Sequence, residues 1–169
     1  MDIYLACGLT HVPREAFSEY VAFIHDLASG ISAPDATVRY ALRDSDPQLA
    51  ERPETDRPAL CYLWDRRMIE GSDALVAEAT FPSTGLGIEL QIASAKGIPI
   101  VLVYNSSDRY RAPPVCYSNP DHSRHQLQVG DGFISLMALG LPGIFRAIPY
   151  SSTDSAILAT QEALGELRL

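Results

Sequence analysis

The run IPIVLVYN (98–105) is apolar almost without interruption, and it constrains the fold more than any other stretch. It is too short to cross a bilayer and lacks the polar alternation of a half-exposed strand, so it predicts a strand covered on both faces, as in a parallel sheet. Similar runs recur at DIYLAC (2–7), TVRYAL (37–42), DALVAEAT (73–80) and IFRAIPY (144–150). Helical patterns separate them. Behind Pro13, residues Phe17, Tyr20, Val21, Ile24, Leu27 and Ala28 recur at spacings of three and four, an amphipathic stripe.

A second helix is expected from about Pro58 to Glu70, a third opened by PSTGLG (82–87), and a last one in SSTDSAILATQEALGELRL, capped from Ser151 to Thr153. Strands alternating with helices predict an α/β fold: a flavodoxin-like, doubly wound, five-stranded parallel sheet with helices on both faces. The stretch RDSDPQLAERPETDRP (43–58) is polar and proline-broken and is expected to be a loop. Residues 105–143 read as a long irregular insertion or lid within one domain spanning 1–169.

Charge and composition narrow the partners. The formal charge is −8, and Lys and Arg are not gathered in one place, which argues against a nucleic-acid polymer as partner. A hydrophobic fraction of 47% and a charged fraction of 20% are those of an ordinary globular chain. The start MDIYLACGLTHVP carries an acid at position 2 and only a short apolar run, so neither a signal peptide nor a membrane anchor is expected, and the protein reads as cytoplasmic. Cys7, Cys61 and Cys116 are far apart and form no Cys-x-x-Cys pair, and Cys116, His122 and His125 match no standard zinc spacing. No metal and no cofactor is expected.

In a doubly wound sheet, ligands bind beyond the carboxyl ends of the strands. That rule nominates Gly8 to His11, Glu78 to Gly87, and Tyr104 onward. Gly85 and Gly87 allow close approach of backbone to ligand, and the helix start at Ser83–Thr84 presents free N–H groups to an anion. Glu89 follows within the first turns, among Leu86, Ile88, Leu90, Ile92 and Ala93. The positive end of the helix is expected to keep it ionised and poised as a nucleophile. A carboxylate beside a sugar can trap the oxocarbenium-like centre as a covalent ester, provided a second group manages the proton. Asp65, in LCYLWDRRMIE, is the candidate second group; a salt bridge to Arg66, Arg67 or another basic residue is the competing explanation of its place. Tyr62, Trp64 and Phe81 could stack on a base or belong to the core.

These residues carry a resemblance. Tyr4 and Gly8 in IYLACG, Asp65 and Asp73 in WDRRMIEGSD, and ALVAEATFPSTGLGIELQIASAKGIPIVLV with its AExxxPSxGxGxE string resemble the nucleoside 2-deoxyribosyltransferase superfamily. Within it, the chain looks most like the branch that cleaves the base from nucleoside 5′-monophosphates. The likeness is close over about 62–104 and weaker over 2–30. It implies Glu89 as nucleophile, Asp65 as acid or base, and Tyr4 set against Glu89 or the sugar. It further implies Gly8, Ser83, Gly85 and Gly87 around the 5′-phosphate, with Glu78 and Asp73 shaping the rim and sheet. Thr10 and His11 occupy the turn GLTHVPRE, which is poorer in glycine and arginine than the branch's usual phosphate-binding turn. A homodimer or larger assembly is also implied.

The expected function is therefore an N-glycosidase or base-exchanging transferase acting on a nucleoside or nucleotide. Two alternatives remain open from the sequence: a non-catalytic nucleotide-sensing module, and a phosphoribohydrolase of the cytokinin-activating type. The latter's Pro-Gly-Gly-x-Gly-Thr motif is not matched by PSTGLGIE.

Overall fold

A computed structural model describes residues 1–168. Among the described residues seven strands are formed: β1 Asp2–Cys7, β2 Thr37–Arg39, β3 Ala74–Glu78, β4 Ile100–Asn105, β5 Cys116–Ser118, β6 Arg124–Gln126 and β7 Ile144–Tyr150. The helices are α1 Phe17–Ile31, α2 Ala41–Asp44, α3 Asp46–Ala50, α4 Arg57–Glu70, α5 Thr84–Ala95, α6 Leu136–Leu139 and α7 Thr153–Glu166. Five strands form one sheet in the order β2-β1-β3-β4-β7, all pairs parallel. This is the expected doubly wound α/β layout.

Each inner strand divides its side chains between two apolar layers, which is why the sequence shows no polar alternation. Ile3, Leu5, Val76, Val101 and Val103 pack against Tyr20, Ile24 and Leu27 of α1 and Ala156, Ala163 and Leu164 of α7. Tyr4, Ala6, Leu75, Ala77, Ile100 and Leu102 face the other way, against Ile69 of α4 and Leu86, Leu90 and Ala93 of α5. The chain leaves β1 to form β2 on one side and returns to form β3 on the other. The sheet therefore opens between the carboxyl ends of β1 and β3, the switch point at which such folds hold ligands.

Two expectations about connecting segments need correction. Residues 43–58 are not a plain loop: α2 and α3 lie within or at the edge of that stretch. Asp44 Oδ2 accepts from the Tyr40 N–H at 2.9 Å, which ends β2 at Arg39 rather than letting it continue to 42. Pro47 sits in the first turn of α3, where a missing N–H is tolerated, so it starts a helix rather than breaking one. The segment after β4 is largely irregular but holds a small antiparallel hairpin, β5–β6, and α6. Phe133, Ala138 and Leu139 from this segment pack on the α5 side of the sheet. They cover the β4–β7 surface that a longer crossover helix would otherwise occupy. Among the described residues, no helix is long and apolar enough to cross a membrane.

Candidate active site

At the switch point lies a crevice of about 330 Å³, lined by Cys7, Leu9 and Thr10 after β1, Asp46 on α3, Cys61 and Asp65 on α4, and Ser83, Gly85 and Glu89 around the start of α5. Its floor is a hydrogen bond between strand and helix. The Tyr4 hydroxyl donates to Glu89 Oε1 at 2.6 Å. Tyr4 is only 1% exposed, so a rigid strand fixes this bond from below.

Asp65 is held by neutral donors rather than by a cation. Ser45 Oγ donates to Asp65 Oδ1 at 2.8 Å, and Cys61 Sγ to Oδ2 at 3.4 Å. The salt-bridge explanation fails, because Arg66 instead pairs with Glu70 at 2.9 Å. A carboxylate that keeps lone pairs open toward the crevice can take a hydrogen bond or a proton from a ligand.

The expectation that the helix start keeps Glu89 ionised is overturned. Burial pushes its carboxyl up to about 8; the Tyr4 hydrogen bond opposes the rise, and the charges of Asp65 and Asp46 add to it. The helix dipole acts mainly over the first turn, whereas Glu89 lies beyond it, counted from the cap at Ser83. Desolvation next to two other acids therefore outweighs the distant dipole and lifts the carboxyl toward neutrality.

The start of α5 is built as expected. Ser83 is the N-cap, its Oγ accepting from the Leu86 N–H at 3.0 Å. The N–H groups of Thr84 and Gly85 have no backbone acceptor outside the helix among the described residues. Gly8 lets β1 end directly beneath this turn: a Cβ at position 8 would stand 2.2 Å from the Phe81 carbonyl oxygen. At Gly85 the nearest atom to such a Cβ is Ser83 Oγ, at 3.9 Å, so the protein itself does not demand glycine there.

The remaining sequence-derived residues divide. Thr10 lines the crevice, and His11 is exposed and does not. Gly87 faces away, onto a separate shallow hollow beside Phe133 and Ala138. Glu78 is the main correction. As the last residue of β3 its side chain passes to the α1–α7 side of the sheet, where it is wholly buried. There it accepts hydrogen bonds from Tyr20, Tyr150 at 2.8 Å, and the Thr80 hydroxyl and N–H. It joins elements together and does not reach the crevice.

Asp73 lies at the opposite end of the sheet, bonded to the Asp2 N–H at 2.8 Å. Tyr62 lines the crevice, whereas Phe81 packs edge-on against Tyr20 and Tyr110, and Arg52 lies over Trp64. Among the described residues no three His, Cys, Asp or Glu side chains gather so as to hold a metal. Ser45, Asp46 and Cys61 were not singled out from the sequence. Ser45 and Asp46 sit in the stretch read as a loop, where spacing carries no information about Asp65.

Comparison with known proteins gives partial sequence matches. No family model matches the chain. A protein of Methanosarcina barkeri, provisionally named 2′-deoxynucleoside 5′-phosphate N-hydrolase 1, is 35% identical over 78 residues, 46% of this chain and 48% of its own. The Methanosarcina mazei protein of the same provisional name is 37% identical over 60 residues, 36% of this chain and 37% of its own. These matches support the superfamily resemblance. Each spans less than half of the relative's length.

Solved structures match the whole fold. The CMP N-glycosidase of Clostridium botulinum superposes with a TM-score of 0.58 at 18% identity, covering 100% of both chains. A conserved protein of Enterococcus faecalis gives 0.58 at 17% identity, covering 99% of this chain and 98% of its own. At such identities the likeness is one of architecture.

Proposed function

We propose that this chain cleaves the N-glycosidic bond of a nucleoside or nucleoside 5′-monophosphate, by hydrolysis or base exchange, through a glycosyl ester on Glu89. The observation that carries the reading is the Tyr4–Glu89 hydrogen bond at 2.6 Å, in the same crevice as Asp65 and the start of α5. The sugar lies over Glu89, and a 5′-phosphate lies at Ser83, Thr84 and Gly85, where N–H groups and the helix dipole favour an anion.

Glu89 first passes its proton to Asp65 and then attacks C1′ through a carboxylate oxygen. The C1′–N bond breaks with its electron pair moving to the base, which takes up a proton as it leaves. Asp65 is the group that relays protons, first toward the base and then from the incoming water or second base. The excess of carboxyl groups favours the positive charge that develops at C1′; Arg66 is the one basic side chain lining the crevice among the described residues. The names of the sequence relatives support the same class of substrate. A homodimer or larger assembly remains part of the proposal, and sedimentation velocity reads it directly.

The test is incubation with a panel of ribo- and deoxyribonucleosides and their 5′-monophosphates, with chromatography of the released base. Release by the parent and its loss in Glu89→Ala is the expected result. No release from any member, or equal release by the variant, overturns the reading.

A further inference from the structure

Asp65 and Glu89 account for two of the three carboxyl groups in the crevice. The third, Asp46, neither makes a bond to the sugar nor relays a proton in that reaction. It lines the crevice from the first residue of α3 and is only partly buried. Among the described residues no hydrogen bond or ion pair engages its carboxyl, and burial with the nearby Asp65 charge pushes its pKa up. Its position is nevertheless fixed. The preceding Ser45 is 1% exposed and bonded to Asp65, and Asp44 closes α2 back onto the Tyr40 N–H. A carboxyl held by its backbone yet left without a partner, facing a ligand-sized space, is an unused acceptor.

The walls beside it suit a flat ring. Leu9, Pro58, Tyr62 and Ile88 line the same crevice, and Tyr62 and Ile88 are 49% and 46% exposed, more than apolar groups of a closed core. Once a sugar occupies Glu89 and Asp65, and a phosphate the start of α5, the base has only this apolar slot to enter. Arg66, beside Tyr62, is engaged by Glu70 and the Tyr62 hydroxyl, which leaves Asp46 as the unpartnered charged group facing that slot.

We propose, resting on the glycosidase reading above, that Asp46 selects the base by accepting a hydrogen bond from the exocyclic amino group of cytosine or adenine, so that their nucleotides are preferred over uracil, thymine and hypoxanthine nucleotides. An oxo group at the same edge meets the carboxylate lone pair to lone pair and leaves both unsatisfied. A site built to receive an N–H therefore rejects the oxo analogue, whereas an apolar slot alone would not.

The experiment uses matched pairs that differ only at that edge: CMP against UMP, and AMP against IMP, each as ribo- and deoxyribonucleotide. Equilibrium binding is measured by calorimetry on Glu89→Ala, which does not consume the ligand, and base release is measured separately on the parent. The expected result is an amino-over-oxo preference of about ten- to hundredfold within each pair. It falls to less than about threefold when Asp46→Asn, which presents a donor as well as an acceptor, is introduced. Asp46→Ala, which has neither, is expected to bind all four alike.

Equal affinity within the pairs, a preference for the oxo member, an amino preference that survives Asp46→Asn, or no binding of any nucleotide would each overturn the assignment of Asp46. Amino-selective binding with no base release from the parent would leave Asp46 as the selector and sink the proposed reaction, so the two failures are told apart.

Discussion

Tyr4 and Glu89 lie 85 positions apart in sequence, and the tyrosine hydroxyl donates to the glutamate Oε1 at 2.6 Å. The pair ties the first strand of the sheet to the helix that follows the third. The hydrogen bond favours the ionised carboxylate, against the burial that pushes Glu89 up to about 8. It is therefore the main local force opposing protonation of the proposed nucleophile.

With burial pushing the Glu89 carboxyl up to about 8, the fraction ready to attack grows with pH. The expected kcat/KM for base release climbs through neutrality and levels off above about 8. Tyr4→Phe should move that limb upward by about one to two pH units, the equivalent of one hydrogen bond to a charged group. Measuring kcat/KM from pH 5 to 10 on both proteins checks this; an unmoved limb shows that the tyrosine does not set the carboxylate.

The same titration affects stability. The unfolded carboxyl has the ordinary value of 4.5 and the folded one about 8, so between these values the folded state holds more protons. Stability from this group is greatest below 4.5 and declines as pH rises toward 8, at no more than about 1.4 kcal/mol per pH unit. Glu89→Gln should flatten the decline seen in urea unfolding between pH 5 and 8. Asp46 and Glu78, both also shifted upward, contribute slopes of the same sign that the substitution leaves in place.

Gly85 and Gly87 should part company on substitution. A Cβ at 87 meets nothing within 4 Å, and Gly87 lies inside α5, so Gly87→Ala should raise stability by about 0.5–1 kcal/mol and leave turnover near the parent's. A Cβ at 85 is also accommodated by the protein but enters the crevice. Gly85→Ala should keep the fold and weaken nucleotide binding at least about tenfold, an effect read by calorimetry and thermal denaturation together.

Glu78 should matter to the fold rather than to the chemistry. Tyr150→Phe removes one of its donors on the far side of the sheet and should cost about 1–3 kcal/mol of stability. Base release measured below the melting range should stay within about threefold of the parent, since neither Tyr150 nor Glu78 lines the crevice. A loss of turnover without a loss of stability would bring Glu78 back into the reaction.

Much of this architecture was legible in the chain because buried parallel strands leave an unmistakable mark. The run 98–105 and the run 73–80 needed no partner to be recognised as strands. Glu89 was legible for the opposite reason, as an acid in an otherwise apolar helix behind two glycines. The face taken by Glu78 was not legible. In a strand apolar on both sides, alternation gives no sign of which layer a residue enters, and proximity in sequence to the PSTGLG turn drew it to the wrong one. Asp46 and Ser45 were hidden differently: α2 and α3 are too short for periodicity to show, and the bond from Ser45 to Asp65 is purely tertiary. The titration of Glu89 depends on how completely three elements exclude water, which no local pattern records.

The cap at Ser83 carries a further consequence. Its oxygen receives the Leu86 N–H through a lone pair, which leaves the hydroxyl hydrogen uncommitted to the helix. An arriving anion can take that hydrogen without unseating the first turn, so occupancy and helix integrity need not compete. One small side chain thus serves as both doorpost and latch.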